Sequence, residues 1–406
     1  MQIKRRRFCL LQMADQVLPD FAQLLRGSLV FSRETLTDLL CAVSGERIRL
    51  AANELAALAS LSDAEWTDAE HFATASGLDL AAIRSLIARN ALLSDGDDPK
   101  ATALREGEAT LERIGWHPLA ATYHRHTAWA GIEGDEAQRE HSSGAHRQRL
   151  RDIVAAHGMP PTHCFSRADR LGEQLLPLDD VDGSALYALT QQRRTTRAYR
   201  QQEWLGLADF SALLRGSFGV RGSQQLDTDI VALRKGSPSG GGLHPVEAYP
   251  VVARVAGLEP GIYHYRAERH SLELIEAMAE LEVRDWIAQS TIGQVFFAEA
   301  QAHVIHVARF GRNFWKYRGH VKAYKAVLMD SAHLSQNFYL FAAERGLGAY
   351  VTAAINDIDI GHRLKLDPLL EAAITINGVG IIDPDRNELH LNAEAHSLIA
   401  ARAVSA

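Results

Sequence analysis

Residues 237–245 read Ser-Pro-Ser-Gly-Gly-Gly-Leu-His-Pro and lead into the apolar segment 248–252, Ala-Tyr-Pro-Val-Val. Consecutive glycines let the backbone approach a flat ring face-on and present amide donors to the edge of that ring, which larger side chains would block. A flexible loop is the alternative interpretation. The stretch lacks the Gly-x-Gly-x-x-Gly spacing of dinucleotide sites and the Gly-Lys-Ser/Thr ending of P-loops, so it predicts neither kind of site.

An arginine-rich stretch precedes the glycines. Residues 193–199 read Arg-Arg-Thr-Thr-Arg-Ala-Tyr and follow a helix-like approach through Leu186, Tyr187 and Leu189. Three guanidiniums and two hydroxyls this close together can hold a phosphate dianion through charge-assisted, bidentate hydrogen bonds. Taken alone, the run also fits a solvated basic turn.

A third stretch runs from Arg312 through Trp315-Lys316-Tyr317-Arg318 into a long predicted helix. The apolar stripe of this helix contains Val321, Tyr324, Leu328, Leu334, Phe338 and Phe341. Its length of about 25 residues corresponds to roughly 37 Å at 1.5 Å per residue. We expect it to end at Gly346, because glycine readily adopts the left-handed conformation that closes a helix. Gly346-Leu347-Gly348-Ala349 then predicts a turn that leads into a strand.

These stretches, in this order, resemble the SagB-like branch of the nitroreductases, the azoline dehydrogenases of thiazole/oxazole-modified peptide biosynthesis. The resemblance covers about 220 residues, from Ser184 to the C-terminus, and includes Asp330 to His333 and Gln336-Asn337. It implies an α+β fold in which helices flank a mixed sheet, and a homodimer with FMN at its interface. It further implies an FMN-dependent oxidoreductase that acts on a ribosomally synthesised precursor peptide, alongside peptide-modifying partner enzymes.

The resemblance also implies roles for individual residues. The phosphate and ribityl groups of FMN would be bound by the first motif, Arg193, Arg194, Thr195 and Arg197. The pyrimidine edge would be bound by Ser237, Ser239, Gly240 and Gly241. The flavin N5 and O4 would lie beside Gly346, Leu347 and Gly348. The catalytic pair would be Lys316 and Tyr317.

Oxidation of an azoline to an azole removes a hydride, which would pass to flavin N5, and a proton, which would pass to Lys316 or Tyr317. The ordinary pKa values of tyrosine and lysine are about 10 and 10.4, so burial of the lysine or mutual charge coupling would have to lower one of them. An aromatic, partly dry pocket around Phe314 and Trp315 could do this. The alternative is a surface lysine beside a packed tyrosine.

Two further segments leave questions open. Residues 377–380 and 383–386 do not match a family phosphate-binding tail, so a second phosphate ligand stays unassigned. His303 and His306 lie in a predicted strand, where residues three apart face opposite sides. We therefore expect at most one of them to face a pocket, and core or sheet-surface positions for both.

The N-terminal part predicts three helices over residues 51–60, 63–76 and 79–90, which resemble a winged-helix module. The third helix carries only Arg84 and Arg89, and acidic residues surround it, an arrangement that would repel phosphates. We therefore expect peptide docking or a structural role rather than DNA binding. Pro160-Pro161 and the acidic run 179–183 mark a boundary, which gives one domain over 1–160 and a second over 184–406.

Composition limits the classes of function. The 406 residues are 47% apolar with a net charge of −7, so the protein lacks the positive field that attracts nucleic acid or anionic lipid. Cys9, Cys41 and Cys164 lie far apart in the sequence, which predicts a reducing cytoplasm rather than a disulfide framework.

Residues 4–13 predict a first strand. No apolar run approaches the roughly 18 residues that span a bilayer. His124 and His126 form a His-x-His pair, but no third metal ligand lies nearby in the sequence.

Two other functions remain open from the sequence. One is an NAD(P)H-dependent reductase of nitro, quinone or unsaturated peptide groups. The other is a flavin-free scaffold whose winged-helix-like domain presents a precursor peptide to partner enzymes.

Overall fold

A computed structural model of the chain describes residues 1–19, 21–135, 139, 143–161, 174 and 183–386. The helices are α1 (Phe21–Leu24), α2 (Ala52–Ser60), α3 (Ala69–Ser76), α4 (Leu80–Ala88), α5 (Pro99–Ile114), α6 (Pro118–Thr127), α7 (Ser143–His157), α8 (Ala185–Gln192), α9 (Leu207–Phe218), α10 (Glu280–Ser290), α11 (Val295–Ala298), α12 (Phe310–Phe314), α13 (Ala323–Glu344) and α14 (Asp357–Leu364). The strands are β1 (Gln2–Arg5), β2 (Cys9–Pro19), β3 (Phe31–Cys41), β4 (Arg47–Leu50), β5 (Thr67–Asp68), β6 (Leu92–Ser94), β7 (Gly222–Asp227), β8 (Ile230–Arg234), β9 (Val246–Val252), β10 (Gly261–Arg266), β11 (Ser271–Ala277), β12 (Ala302–Arg309), β13 (Gly348–Thr352) and β14 (Glu371–Gly380).

The chain forms two compact units. The first contains Met1–Ala128 together with Phe310–Ala326 and Asp367–Glu371. The second contains Trp129–Arg309, Val327–Leu366 and Ala372–Ala406. The domain division at 160 and 184 stays a prediction, and Cys164 and the acidic residues at 179–182 lie outside the described residues.

The first unit contains the winged-helix-like arrangement that the sequence predicts. Helices α2, α3 and α4 pack with the small sheet β5-β1-β6. The predicted second helix started too early, because residues 63–66 form no helix and β5 precedes α3. Asp68 sets the start of α3, since its side chain accepts hydrogen bonds from the backbone N–H groups of Glu70 and His71.

The predicted first strand is two strands, β1 and β2, separated at residues 6–8. Arg6 is 1% exposed and lies with its Nε 3.2 Å from Glu108 Oε1. Glu108 Oε2 also accepts hydrogen bonds from the backbone N–H groups of Arg7 and Phe8. A buried guanidinium requires such a partner, and the same carboxylate takes up the backbone N–H groups that would otherwise pair with a neighbouring strand.

Cys9 and Cys41 lie directly opposite each other in the antiparallel pair of β2 and β3. The sequence placed them far apart because 32 positions separate them, and only the strand register brings them together. Both are free thiols. Burial raises the pKa of Cys9 to about 12 and also raises the pKa of Cys41.

A six-stranded sheet in the order β11-β10-β9-β12-β14-β13 organises the second unit. One face packs on a cluster that includes Val251, Ile305 and Tyr350, and the other on a cluster that includes Val304 and Phe338. Helix α13 lies on the second face through Leu334 and Phe338. The second unit therefore has the α+β architecture, a sheet between layers of helices, that the sequence predicts.

The central strand β12 buries a histidine on each face, as its alternation predicts. His303 Nδ1 lies 2.8 Å from the hydroxyl of Tyr350, whereas His306 Nδ1 lies 2.9 Å from Ser331 Oγ. Both side chains are completely buried. Burial lowers the pKa of each to about 3.

Across the described ranges, no helix is both long and apolar enough to cross a membrane.

The buried histidines predict that stability falls on acidification. The unfolded chain takes up protons near pH 6.5, whereas folded His303 and His306 resist protonation down to about pH 3. Their contribution is therefore present above pH 6.5 and is lost as the pH falls from there toward 3. Between pH 7 and pH 5 each should cost about 2 kcal/mol of the free energy of unfolding.

Denaturant titration of the wild type, His303→Gln and the exposed-site control His157→Gln at both pH values tests this. We expect His303→Gln to lose less stability than the wild type on acidification, and His157→Gln to lose as much. An equal loss in all three proteins would contradict the assignment.

Candidate functional site

Helix α13 is fixed on the sheet by polar bonds as well as by its apolar residues. Ser331 Oγ lies 2.9 Å from His306 Nδ1 on β12 and 3.3 Å from Thr375 Oγ1 on β14. One turn later, Ser335 donates a hydrogen bond to Asn377 Oδ1 at 2.8 Å, and Asn377 Nδ2 donates to the carbonyl of Tyr350. Hydrogen bonds have directional requirements that apolar contacts lack, so these bonds set the rotation and position of the helix.

The arginine-rich stretch contacts the C-terminal half of α13. The guanidinium carbon of Arg193 lies 5.3 Å from the centroid of the Tyr339 ring, within the range of a cation–π interaction. Thr195 Oγ1 lies 3.0 Å from the Tyr339 hydroxyl. Arg194 is exposed and Arg197 is half-buried. Burial lowers the pKa of the Arg197 guanidinium, which indicates a cation with incomplete hydration.

The segment 346–348 lies beside this stretch. Thr196 donates its backbone N–H to the carbonyl of Ala349 at 2.8 Å, and Thr195 forms a parallel bridge with the same residue. Gly346 has φ 64° and ends α13 as predicted. A Cβ at Gly348 would approach the Thr196 side chain to 2.6 Å, so close packing also requires glycine there. Leu347 is half-buried.

The glycine-rich loop contacts the N-terminal half of α13 through one carboxylate. Asp330 is 5% exposed, and its Oδ2 accepts a hydrogen bond from Ser239 Oγ at 2.5 Å. Its Oδ1 accepts from the Gly240 N–H at 3.2 Å. Ser237 is buried beside them. The sequence showed Asp330 only as part of a resemblance and assigned it no role.

The backbone of this loop is unusual. Gly241 and Gly242 have φ values of 65° and 70°, and His244 has φ 47°. A left-handed conformation costs a residue with a Cβ roughly 1 to 2 kcal/mol, so other bonds must stabilise His244. Its N–H donates to Ser239 Oγ at 2.8 Å, and its Nε2 lies 3.0 Å from the Leu233 carbonyl oxygen.

The loop and the arginine-rich stretch are thus held by one helix at a defined separation. Asp330 and Tyr339 are nine positions apart, which corresponds to roughly 13.5 Å along the helix axis at 1.5 Å per residue. The two ends differ in their charged groups: Asp330 and Lys235 line one cavity at the glycine-rich loop, whereas Arg193 and Arg197 place guanidiniums at the other end. An anionic group would be stabilised at the guanidinium end.

The predicted catalytic pair belongs to the first unit, whereas the predicted FMN-binding residues belong to the second. Lys316 Nζ lies 5.9 Å from the centroid of the Tyr317 ring. Lys316 is exposed and Tyr317 half-buried. Of the two aromatic residues expected around the pair, Phe314 is buried and Trp315 is 58% exposed.

An aromatic cluster of the first unit holds the segment that carries this pair. The Trp116 ring lies 4.7 Å from Phe310 and 4.6 Å from Phe314 between centroids. Beyond the pair, Gly319 donates its N–H to the carbonyl of Gly115 at 2.7 Å, and Arg318 donates to the carbonyl of Arg113. The segment is therefore bound at both ends to the turn between α5 and α6.

The histidine pair on α6 makes protein contacts. His124 Nδ1 lies 3.0 Å from the Tyr324 hydroxyl, and burial lowers the pKa of His124 to about 4. His126 Nε2 lies 3.3 Å from the carbonyl oxygen of Cys41. Within the described part of the chain, no three His, Cys, Asp or Glu side chains are grouped to hold a metal ion.

Comparison with known proteins covers mainly the second unit. Residues 190–381 match the model of the nitroreductase family. A protein of Methanocaldococcus jannaschii described as a nitroreductase is 32% identical over 197 residues, which is 48% of this chain and 92% of that protein. The trifolitoxin-processing protein of Rhizobium leguminosarum bv. trifolii is 33% identical over 144 residues, which is 35% of this chain and 38% of that protein.

Among solved structures, a chain of the Escherichia coli microcin synthetase McbBCD complex with truncated pro-MccB17 bound is 18% identical. The similarity covers 75% of this chain and 98% of that chain, with a TM-score of 0.41. The family assignment rests on the sequence matches, since the alignment spans nearly the whole of the archaeal protein. The chain therefore belongs to the nitroreductase family of flavin-type oxidoreductases.

Proposed function

We propose that this protein binds FMN along α13 and uses it to dehydrogenate a ribosomally synthesised peptide, an azoline being the bond system oxidised. The observation that carries the proposal is the pairing of an arginine-rich stretch and a glycine-rich loop at two separated points of one helix. Bound FMN would supply the acceptor for the two electrons that leave the substrate. The remaining tasks belong to residues of the chain.

The residues present fit the phosphate end of FMN. Arg193 and Arg197 offer guanidiniums, and Thr195 offers a hydroxyl already oriented by Tyr339. Thr196 Oγ1 is buried and has no hydrogen-bond partner among the described residues, so this stretch still has polar capacity to use. Arg197 is half-buried, where water screens the attraction between a guanidinium and an anionic ligand less than it does at the surface.

The glycine-rich loop fits the ring end. Ser239 and Gly240 direct their donors to Asp330, and Gly242 donates its N–H to the carbonyl of Ser239. Gly241 is an exposed residue, and its N–H donates no hydrogen bond to any of the described residues. It can therefore serve a carbonyl or ring nitrogen of the flavin. The guanidiniums of Arg193 and Arg197 support placing the phosphate at the arginine-rich stretch instead.

Lys316 and Tyr317 are our candidates for proton removal. Their side chains lie next to each other on a segment bound at both ends, so the protein fixes their spacing. Lys316 as a neutral amine, or Tyr317 as a tyrosinate, would accept the proton that leaves the substrate carbon, and the other member of the pair would stabilise the form that accepts it. The exposure of Lys316 leaves room for a peptide substrate to approach it.

The peptide substrate is proposed from one relative. The Rhizobium protein is named for trifolitoxin processing, and its 33% identity concerns 144 residues of this chain. We extend that name only to the class of substrate, a ribosomally made precursor peptide, and propose that peptide-modifying enzymes prepare it. We further propose that the active form is a homodimer.

The archaeal relative described as a nitroreductase favours a second candidate function, NAD(P)H-dependent reduction of nitro, quinone or unsaturated peptide groups. Anaerobic addition of NADPH distinguishes the two. Rapid loss of the flavin absorption band would favour the reductase, whereas an unchanged band that fades with an azoline peptide would favour the dehydrogenase.

If Arg197 binds the phosphate, Arg197→Gln should lower the affinity for FMN but not the affinity for riboflavin. Hydrogen bonds to charged groups contribute about 1.5 to 3 kcal/mol, so FMN affinity should fall about 10- to 100-fold. Affinity for riboflavin, which lacks the phosphate, should stay unchanged. Fluorescence titration with both flavins measures this, and Arg200→Gln in the same loop is the matched control, because Arg200 is exposed and pairs with Glu203. Equal losses for FMN and riboflavin would show that Arg197 does not bind the phosphate.

The catalytic assignment predicts that Lys316→Ala and Tyr317→Phe retain bound FMN and lose turnover. One substitution removes the proton acceptor and the other removes the group that stabilises it, and general bases typically contribute 10²- to 10⁴-fold to a rate. Mass spectrometry of an azoline-containing peptide follows the loss of two hydrogens. Lys322→Ala, an exposed lysine of the same unit, should behave as the wild type. Loss of flavin from either variant would mean that the pair is structural instead.

A further inference from the structure

One buried carboxylate holds the glycine-rich loop. Asp330 accepts hydrogen bonds from two successive residues of the loop, Ser239 and Gly240, although about 90 positions separate it from them in the chain. The Ser239 hydroxyl also accepts the N–H of His244 at 2.8 Å. Asp330, Ser239 and His244 thus form a relay from the helix to the far end of the loop.

This relay holds a conformation that the loop would not keep alone. Gly241 and Gly242 are left-handed, and His244 is left-handed despite its Cβ. Glycine has wide conformational freedom, so without bonds at both ends three consecutive glycines would populate many backbone conformations. The bonds to Asp330 start the loop and the bond to His244 ends it, which leaves Gly241 between two fixed points.

Asp330 itself occupies a fixed position. The next residue, Ser331, bonds to His306 on β12, and Ser335 bonds to Asn377 on β14. Leu334 packs into the core between them. The position of the Asp330 carboxylate relative to the sheet is therefore fixed, and its hydrogen bonds fix the loop relative to the same sheet.

We propose that Asp330 is a positioning residue for the flavin ring, an assignment that rests on the proposed function. It takes up the donors of Ser239 and Gly240, and in doing so it presents the Gly241 N–H to the ring. Ser239 and Gly240 then serve the flavin indirectly, through the carboxylate, rather than by contacting the pyrimidine edge. The relay lowers the conformational entropy that the loop must lose when flavin binds.

A double-mutant cycle on riboflavin affinity tests this proposal. Riboflavin has the flavin ring but no phosphate. Its dissociation constant therefore reports on binding of the ring without any contribution from the phosphate. Asp330→Asn keeps the side-chain volume but lacks the second acceptor, and Ser239→Ala removes the hydroxyl. We expect each variant to lower the affinity for riboflavin and the affinity for FMN by the same factor, about tenfold or more. The double variant should be little weaker than either single one, because both changes break the same relay.

Amide hydrogen exchange of the flavin-free protein gives a second readout. Asp330→Asn should speed exchange at Gly240 and His244 while leaving β12 protected, which separates release of the loop from general destabilisation. Glu344→Gln is the matched control, since Glu344 lies on the same helix but is exposed and pairs with Arg345. It should leave both flavin affinities and the exchange rates unchanged.

The outcomes separate the two claims. If the wild type binds flavin and Asp330→Asn binds riboflavin as tightly, the positioning role is wrong and the proposed function stands. Independent, multiplying effects of the two substitutions would also overturn the relay. If the wild type binds neither FMN nor riboflavin, the proposed function fails and the positioning role fails with it.

Discussion

The seating of α13 on the six-stranded sheet determines the geometry of the candidate site. Ser331 and Ser335 bond to side chains of β12 and β14 beneath the helix, and these bonds are buried, where leaving a polar group unpaired is costly. The helix can therefore neither rotate nor slide without breaking them. Because the helix is fixed, the positions of Asp330 and Tyr339 are fixed as well. These two residues hold the glycine-rich loop and the arginine-rich stretch at a separation set by the rise of the helix.

The division of the chain into two units also divides the proposed chemistry. The second unit contains the residues proposed to bind FMN, whereas Lys316 and Tyr317 belong to a segment of the first unit. Trp116, Phe310 and Phe314 pack together there and join that segment to the turn between α5 and α6. Trp116 and Gly115 lie outside residues 190–381, which match the nitroreductase family model, so the segment has partners that the matched residues alone do not contain.

Local chemistry made part of this molecule predictable. The periodicity of apolar residues predicted helix α13, and Gly346 predicted where it ends. The alternation of side chains along a strand predicted that His303 and His306 lie on opposite faces of the sheet. Interactions between distant residues were not predictable: Cys9 meets Cys41 only through strand register, and Asp330 meets the glycine-rich loop only after folding. For the same reason, the sequence did not reveal the contact of Arg6 with Glu108, which lies where the predicted first strand is interrupted. The roles of the FMN-binding and catalytic residues stay predictions.

FMN binding is the proposal on which the others depend, and the visible absorption spectrum of the purified protein tests it most directly. Heating should release the bound small molecule for mass analysis. We predict a flavin absorption band and a released compound with the mass of FMN. A colourless protein that also fails to bind added FMN would contradict the account and would favour a flavin-free role in presenting peptides.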